Sequence, residues 1–197
     1  MRVEKLMRMT CLAITLLISI NHAQAEDTSK PNILIYINPQ EYTNQIKLWH
    51  FYYDYWFSQG PVVEKIAKAK LEKEYGNVSM CEGNQSGKTL MWIQPRMFYN
   101  PQSLIYYGTI SAKVYSGIGK LVGEYVGESK VHGYLDIQNS KRVYDAYDIA
   151  MQNAIGKMKT DQTLQAIINT PSPTGSTDTP CSMVTLLPTP KIRAMSF

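Results

Sequence analysis

The sequence is poor in the residues that catalytic centres most often use. It has three histidines, His22, His50 and His132, and three cysteines, Cys11, Cys81 and Cys181, in 197 residues. It has no Gly-x-Ser-x-Gly elbow and no Cys-x-x-Cys pair, so a strained nucleophilic serine turn and a dithiol redox motif are both excluded. No two carboxylates are spaced so as to identify an acid–base pair. Glu128 and His132 share one face of an expected strand, but positions four apart lie about 13 Å from each other, too far to share a metal. Charge of one sign is lacking too: 20 basic residues face 16 acidic ones, without the clustered cationic surface that a nucleic acid requires. Nor is there an apolar run of roughly 20 residues, the length that crosses a bilayer. Gly83-Asn84-Gln85-Ser86-Gly87-Lys88-Thr89 imitates a phosphate loop. It has three residues where the loop needs four before Gly-Lys-Thr, and it leads into a strand rather than a helix. The expectation is a protein without catalytic residues, bound metal or cofactor.

What is present begins with an export signal. Arg2, Lys5 and Arg8 precede the apolar run Cys11–Ile20, and Ala23-Gln24-Ala25 forms a small-x-small cleavage site. Residues 1–25 therefore read as a signal peptide, and the rest of the chain is expected to be exported. Cys11 opens the apolar run instead of closing it, so it does not stand where a lipidated cysteine would. The remainder carries 17 basic and 15 acidic residues. Its two cysteines, Cys81 and Cys181, are expected to form a disulfide in an exported chain, with two free thiols as the alternative.

Periodicity divides the rest into a domain over 26–168 and a Pro/Ser/Thr-rich tail over 169–197. Ile33–Ile37 is a short β-branched run that reads as a buried strand. Pro61–Tyr75 is an amphipathic helix, opened by Gly60-Pro61 and stopped by Gly76. A strand starts at Thr89, and Pro95 implies an edge, bulge or break in it. Leu104–Tyr115 and Leu121–Leu135 alternate in polarity around the glycine turn Ser116–Lys120. Asn139-Ser140 reads as the cap of a last helix, with an apolar stripe from Val143 to Met158. Met183–Leu187 could pair as an edge strand, pinned back through Cys181. The order β–α–β–β–β–α predicts a two-layer α+β domain, an antiparallel sheet with two helices on one face.

Two surfaces are candidates for partner binding. One is the aromatic run Trp49–Phe57, with Trp49, Phe51, Tyr52, Tyr55, Trp56 and Phe57 as contact residues. It reads either as a cover whose rings pack on the core or as an exposed platform. Packing of this run against the repeated glycines Gly119, Gly123 and Gly127 is a further expectation. The second surface is the polar sheet face with Lys113, Tyr115, Glu124, Glu128, Lys130 and His132.

The layout of Ile33–Ile168 resembles small proteobacterial envelope proteins. It is most similar to the YajG-like lipoproteins and, more distantly, to auxiliary envelope lipoproteins of ABC transporters. The resemblance rests on the leading strand, the helix ending Leu71-Glu72-Lys73-Glu74-Tyr75-Gly76, the hairpin across Ser116–Lys120 and the helix ending Ala154-Ile155-Gly156-Lys157-Met158. It implies a non-enzymatic periplasmic component that docks another envelope protein within a transport, secretion or envelope-maintenance assembly. A peripheral membrane contact fits the same picture, and no nucleic acid is expected. The missing lipobox cysteine, the aromatic run and the Pro-rich tail depart from the family pattern. The alternative function is a carrier for an apolar or lipid ligand held between helix and sheet, lined by Tyr106, Tyr125 and Tyr147.

Overall fold

Ile33–Ile37 forms strand β1, and its burial is nearly complete because it ends up in the middle of a sheet. The computed structural model describes residues 31–136, 139–170 and 179–189. The expected signal peptide lies outside these residues, as do 26–30 and parts of the tail. After β1 come a short helix α1 (Pro39–Thr43), strands β2 (Gln45–Trp49) and β3 (Asp54–Ser58), helix α2 (Gln59–Tyr75) and strand β4 (Val78–Met80). The long strands β5 (Thr89–Asn100), β6 (Ile105–Ser116) and β7 (Leu121–His132) follow, then helices α3 (Asn139–Thr160) and α4 (Gln162–Asn169) and a 3-10 turn over Pro180–Leu186.

Five strands form one sheet in the order β4-β1-β5-β6-β7, and β2 pairs with β3 alone. The sheet is mixed, which corrects the expected antiparallel one. β5, β6 and β7 are antiparallel neighbours, whereas β1 runs parallel to both β4 and β5. The cause is the crossover through α2, which returns the chain to the start of the sheet before β4 and β5 begin; parallel neighbours need such a connection. Alternation shows which way a side chain points, but it says nothing about which way a strand runs. β5 continues through Pro95, which pairs with Ile110. The β1 ladder ends at Ile37–Ile93, so Pro95 lies where β5 has already become an edge on that side.

One cluster joins Ile33, Ile35 and Ile37 of β1 and Tyr106, Ile110, Ala112 and Val114 of β6 to Val63, Ile66 and Leu71 of α2 and Val143, Tyr147, Ala150, Met151 and Ala154 of α3. Gly127, one of the repeated glycines, and Gly108 on β6 let α3 come this close. A Cβ on Gly127 would overlap the Ala150 carbonyl oxygen and lie 2.6 Å from the Ala154 nitrogen, and one on Gly108 would lie 3.0 Å from the Ala146 carbonyl oxygen. The helix thus covers Gly127, while Gly123 faces the Tyr125 ring and Gly119 faces Met183; the aromatic run is the nearest neighbour of none of the three. Asn139 is no cap either: its side chain accepts the Tyr106 hydroxyl at 2.9 Å. α3 also screens the free edge of β7. Asn153 donates to the Glu128 carbonyl at 2.8 Å and Lys157 to the Val126 carbonyl at 2.6 Å.

On the opposite sheet face Leu34, Leu90 and Cys181 form a small second cluster, with Tyr36, Tyr115, Met183 and Val184 packed against it. Here the 3-10 turn lies as a strap, held by the Cys81–Cys181 disulfide with a Cα–Cα distance of 5.6 Å. The expected edge strand Met183–Leu187 is replaced by this turn, which Pro180 opens.

Candidate functional site

The aromatic run is a hairpin. Ile46 pairs with Phe57, Lys47 with Trp56, Leu48 with Tyr55 and Trp49 with Asp54. Alternation then sorts its side chains. Leu48 is fully buried, and Ile46, Tyr55 and Phe57 pack beside it against the core. Tyr55 and Phe57, partly buried, therefore anchor the base of the hairpin. Trp49 and Trp56 point the other way and are about half exposed, at 48% and 51%. On this outer face Lys47 and Asp54 form an ion pair at 2.8 Å, and the Lys47 ammonium lies 5.8 Å from the Trp56 ring centre.

The turn His50–Tyr53 is made of rings and closes on itself. The His50 amide donates to the Tyr53 carbonyl at 3.1 Å, and the Tyr52 amide to the His50 Nδ1 at 3.4 Å. The His50 ring stacks on Tyr53 at 5.0 Å, and Trp49 meets Phe51 edge-on at 5.1 Å. Tyr52 at the tip is 88% exposed and Phe51 56%. Tyr53, 45% exposed, belongs with them; sequence reasoning passed over it, although it stands in the same aromatic run.

The second surface lies on the other side of β5. Tyr99, whose ring is 6.4 Å from His50, belongs to the helix side, while its neighbour Phe98 points outward and meets the Tyr107 ring, tilted, at 5.9 Å. Across from Tyr107, Lys130 lies over the ring at 5.7 Å. Lys113 and Glu124 are register partners at 3.6 Å, and Lys113 also lies over Trp92. Glu128, Lys130 and His132 are exposed along β7. The six polar-face residues share one face, but Tyr115 packs against the strap. The hairpin and this outer face are thus two separate surfaces.

The three tyrosines of the carrier alternative are in the core, and each hydroxyl has a protein partner. Tyr106 donates to Asn139 and to the Tyr134 carbonyl at 3.0 Å, Tyr125 to Asp161 at 2.7 Å and Tyr147 to Gln59 at 2.9 Å. Burial pushes Tyr106, Tyr125 and Tyr147 well above the ordinary phenol range. α3 is seated directly on β6 and β7 at Gly108 and Gly127.

A titratable group that sequence reasoning missed is Glu41, on α1. Its Oε2 is buried with no hydrogen-bond partner among the described residues. Burial raises its carboxyl to about 7, and the Arg96 guanidinium opposes the rise. The native state therefore holds a proton there that the unfolded chain releases near pH 4. The contribution of this group is fully present below that pH and is lost as pH rises through 7. Glu41→Gln is expected to stabilise the protein by about 1 kcal/mol at pH 8, allowing for partial solvent screening, and to change little at pH 4. Thermal unfolding at the two pH values measures this.

Among the described residues no group of histidine, cysteine and carboxylate side chains could hold a metal, and no helix is long and apolar enough to cross a membrane. The chain matches no family model and no curated protein. Among solved structures it is similar to a Xanthomonas campestris protein of the DUF330 family, at 12% identity and a TM-score of 0.46, covering 73% of this chain and 93% of that one. It is also similar to a putative lipoprotein from Caulobacter crescentus, at 10% identity and a TM-score of 0.33, covering 56% and 84%.

Proposed function

We propose that the protein is an exported, non-enzymatic component of the Gram-negative envelope. It works by contact with another envelope protein in a transport, secretion or maintenance assembly, and the outer face of β5–β7 is its docking surface. One observation carries this reading: both long helices pack on one side of the sheet, while Phe98, Tyr107, Glu128, Lys130 and His132 stand on the other with their ends in solvent. Rings at the centre of such a face supply contact area, and the charged residues around them set orientation and exclude wrong partners. The signal-like residues 1–25 and the disulfide support export. The carrier alternative has no comparable support, because the tyrosines proposed to line its pocket are core residues.

The test is site-specific photo-crosslinking in the native envelope. A photoreactive residue at Glu128 is expected to capture one defined envelope protein, whereas the same residue at exposed Lys73 on α2 should not. Equal capture from both positions, or none from either, would remove the docking face.

A further inference from the structure

The hairpin stands apart from the docking face and has a different chemistry. We propose that its tip, Trp49–Tyr53, is a lipid-contact element that seats in the interfacial layer of a bilayer. Four observations point to lipid rather than to a protein partner.

The tip is ring-built: Trp49, Phe51, Tyr52 and Tyr53 are all 45% exposed or more. Tryptophan and tyrosine favour the bilayer interface, where an apolar ring lies beside hydrated headgroups. The segment Leu48–Tyr53 also carries no carboxylate, lysine or arginine. The first charged residues, Lys47 and Asp54, are paired with each other at 2.8 Å. A charge carried into the interface without a partner would oppose insertion.

The third observation concerns the backbone. The turn satisfies two of its amides internally, through His50 to Tyr53 and Tyr52 to the His50 ring. Those donors then lose little when water is withdrawn, as any backbone entering lipid must arrange. The fourth is that the outer rings are exposed while the base of the hairpin is anchored. Leu48 is buried at 1% exposure, and Tyr55 and Phe57 are packed beside it, so the base is fixed in the core; His50, 6.4 Å from the buried Tyr99, ties the turn to it, while Trp49, Phe51 and Tyr52 project.

The absence of net charge makes the proposal specific. Attachment through basic residues to anionic lipid falls with added salt and needs anionic headgroups. Attachment through these rings should need neither.

Tryptophan fluorescence reads the outcome, because Trp49 and Trp56 are exposed while Trp92, at 2% exposure, is already shielded. The full protein is mixed with vesicles of phosphatidylcholine, and separately with vesicles of phosphatidylethanolamine and phosphatidylglycerol. It is expected to float with both and to shift its emission to the blue, with little change on adding salt. Tyr52→Asp places a charge at a residue 88% exposed, where folding is not at risk, and is expected to weaken vesicle binding about tenfold or more. Glu128→Ala, on the docking face, should leave it unchanged. Failure of the wild-type protein to float with either vesicle overturns the proposal. So does binding that requires phosphatidylglycerol and is lost in salt, or capture of the tip by an envelope protein without vesicle binding. None of these results bears on the docking face, which the crosslink at Glu128 tests by itself.

Discussion

Gly127→Val is expected to destabilise the protein by at least about 3 kcal/mol, the upper end of what overpacking a core usually costs. A side chain at Gly127 would meet the backbone of α3 at Ala150 and Ala154, not the movable end of a side chain. Overpacking costs roughly 1–3 kcal/mol when side chains can yield. At this position the helix itself must lift from β7, and it would carry Tyr147 and Met151 with it. It would also pull Ala146 away from Ser129, whose hydroxyl donates to the Ala146 carbonyl at 2.7 Å. Gly156 is the matched control. It lies on the same helix, where an added Cβ meets nothing within 4 Å. Gly156→Ala should stabilise by about 0.5–1 kcal/mol through helix propensity and a less flexible unfolded chain. Chemical denaturation of the two variants beside the wild type decides the matter. A neutral Gly127→Val would mean that α3 does not rest on β7 through its backbone.

The second large effect is expected from the strap. Replacing Cys81 and Cys181 together by serine should lower stability by about 2–4 kcal/mol, since the disulfide closes a loop of 100 residues. For a domain of this size that corresponds to a melting temperature lower by about 5–15 °C. The same change should release Pro180–Leu186 and uncover Leu34, Leu90 and Tyr115, which the turn helps to cover. Limited proteolysis of the variant should then cut within 179–189 well before the rest of the chain, and an environment-sensitive apolar dye should bind. If the variant keeps its stability and its strap stays protected, the turn is held by packing alone and the disulfide contributes little.

Much of the sheet was legible in the residues. β6 and β7 announce themselves by alternation, since one face is buried and the other polar, and β1 by its run of β-branched residues. α2 and α3 follow from stripes at helical spacing, and the cysteine pair followed from export and even number. The direction of β1 was not legible, because it depends on a crossover and leaves no mark on polarity. The hairpin β2–β3 was hidden for another reason. Its turn His50–Tyr53 contains no glycine, proline or asparagine, and both its faces are aromatic from Trp49 to Phe57, so polarity does not alternate there. Only the shorter pattern of Ile46 and Leu48 around Lys47 gave a sign of it. Asn139 looked like a cap because nothing local revealed Tyr106, which lies 33 positions away and takes its side chain.

The candidate surfaces divided in the same way. The residues of the polar sheet face were found together because a strand places every second residue on one side. The hairpin residues were found as a group but not sorted, since sorting needs the pairing. Glu41 escaped notice because its character comes from burial and from Arg96, which is on β5, and not from its neighbours in the chain.

The place of β1 has a consequence for how the chain is made. It precedes the other described strands in the chain, yet it lies inside the sheet, and its partners are about 45 positions later at Val78 and about 56 later at Thr89. At roughly 5–20 residues per second, Ile33–Ile37 waits several seconds at the ribosome or in transit for the strands that flank it. During that wait it is a bare, uncharged, β-branched segment of the kind that joins other nascent chains. Escort by a holding chaperone until residue 93 has emerged would keep it single, so the yield of folded protein should depend on that escort more than on the stability of the finished fold.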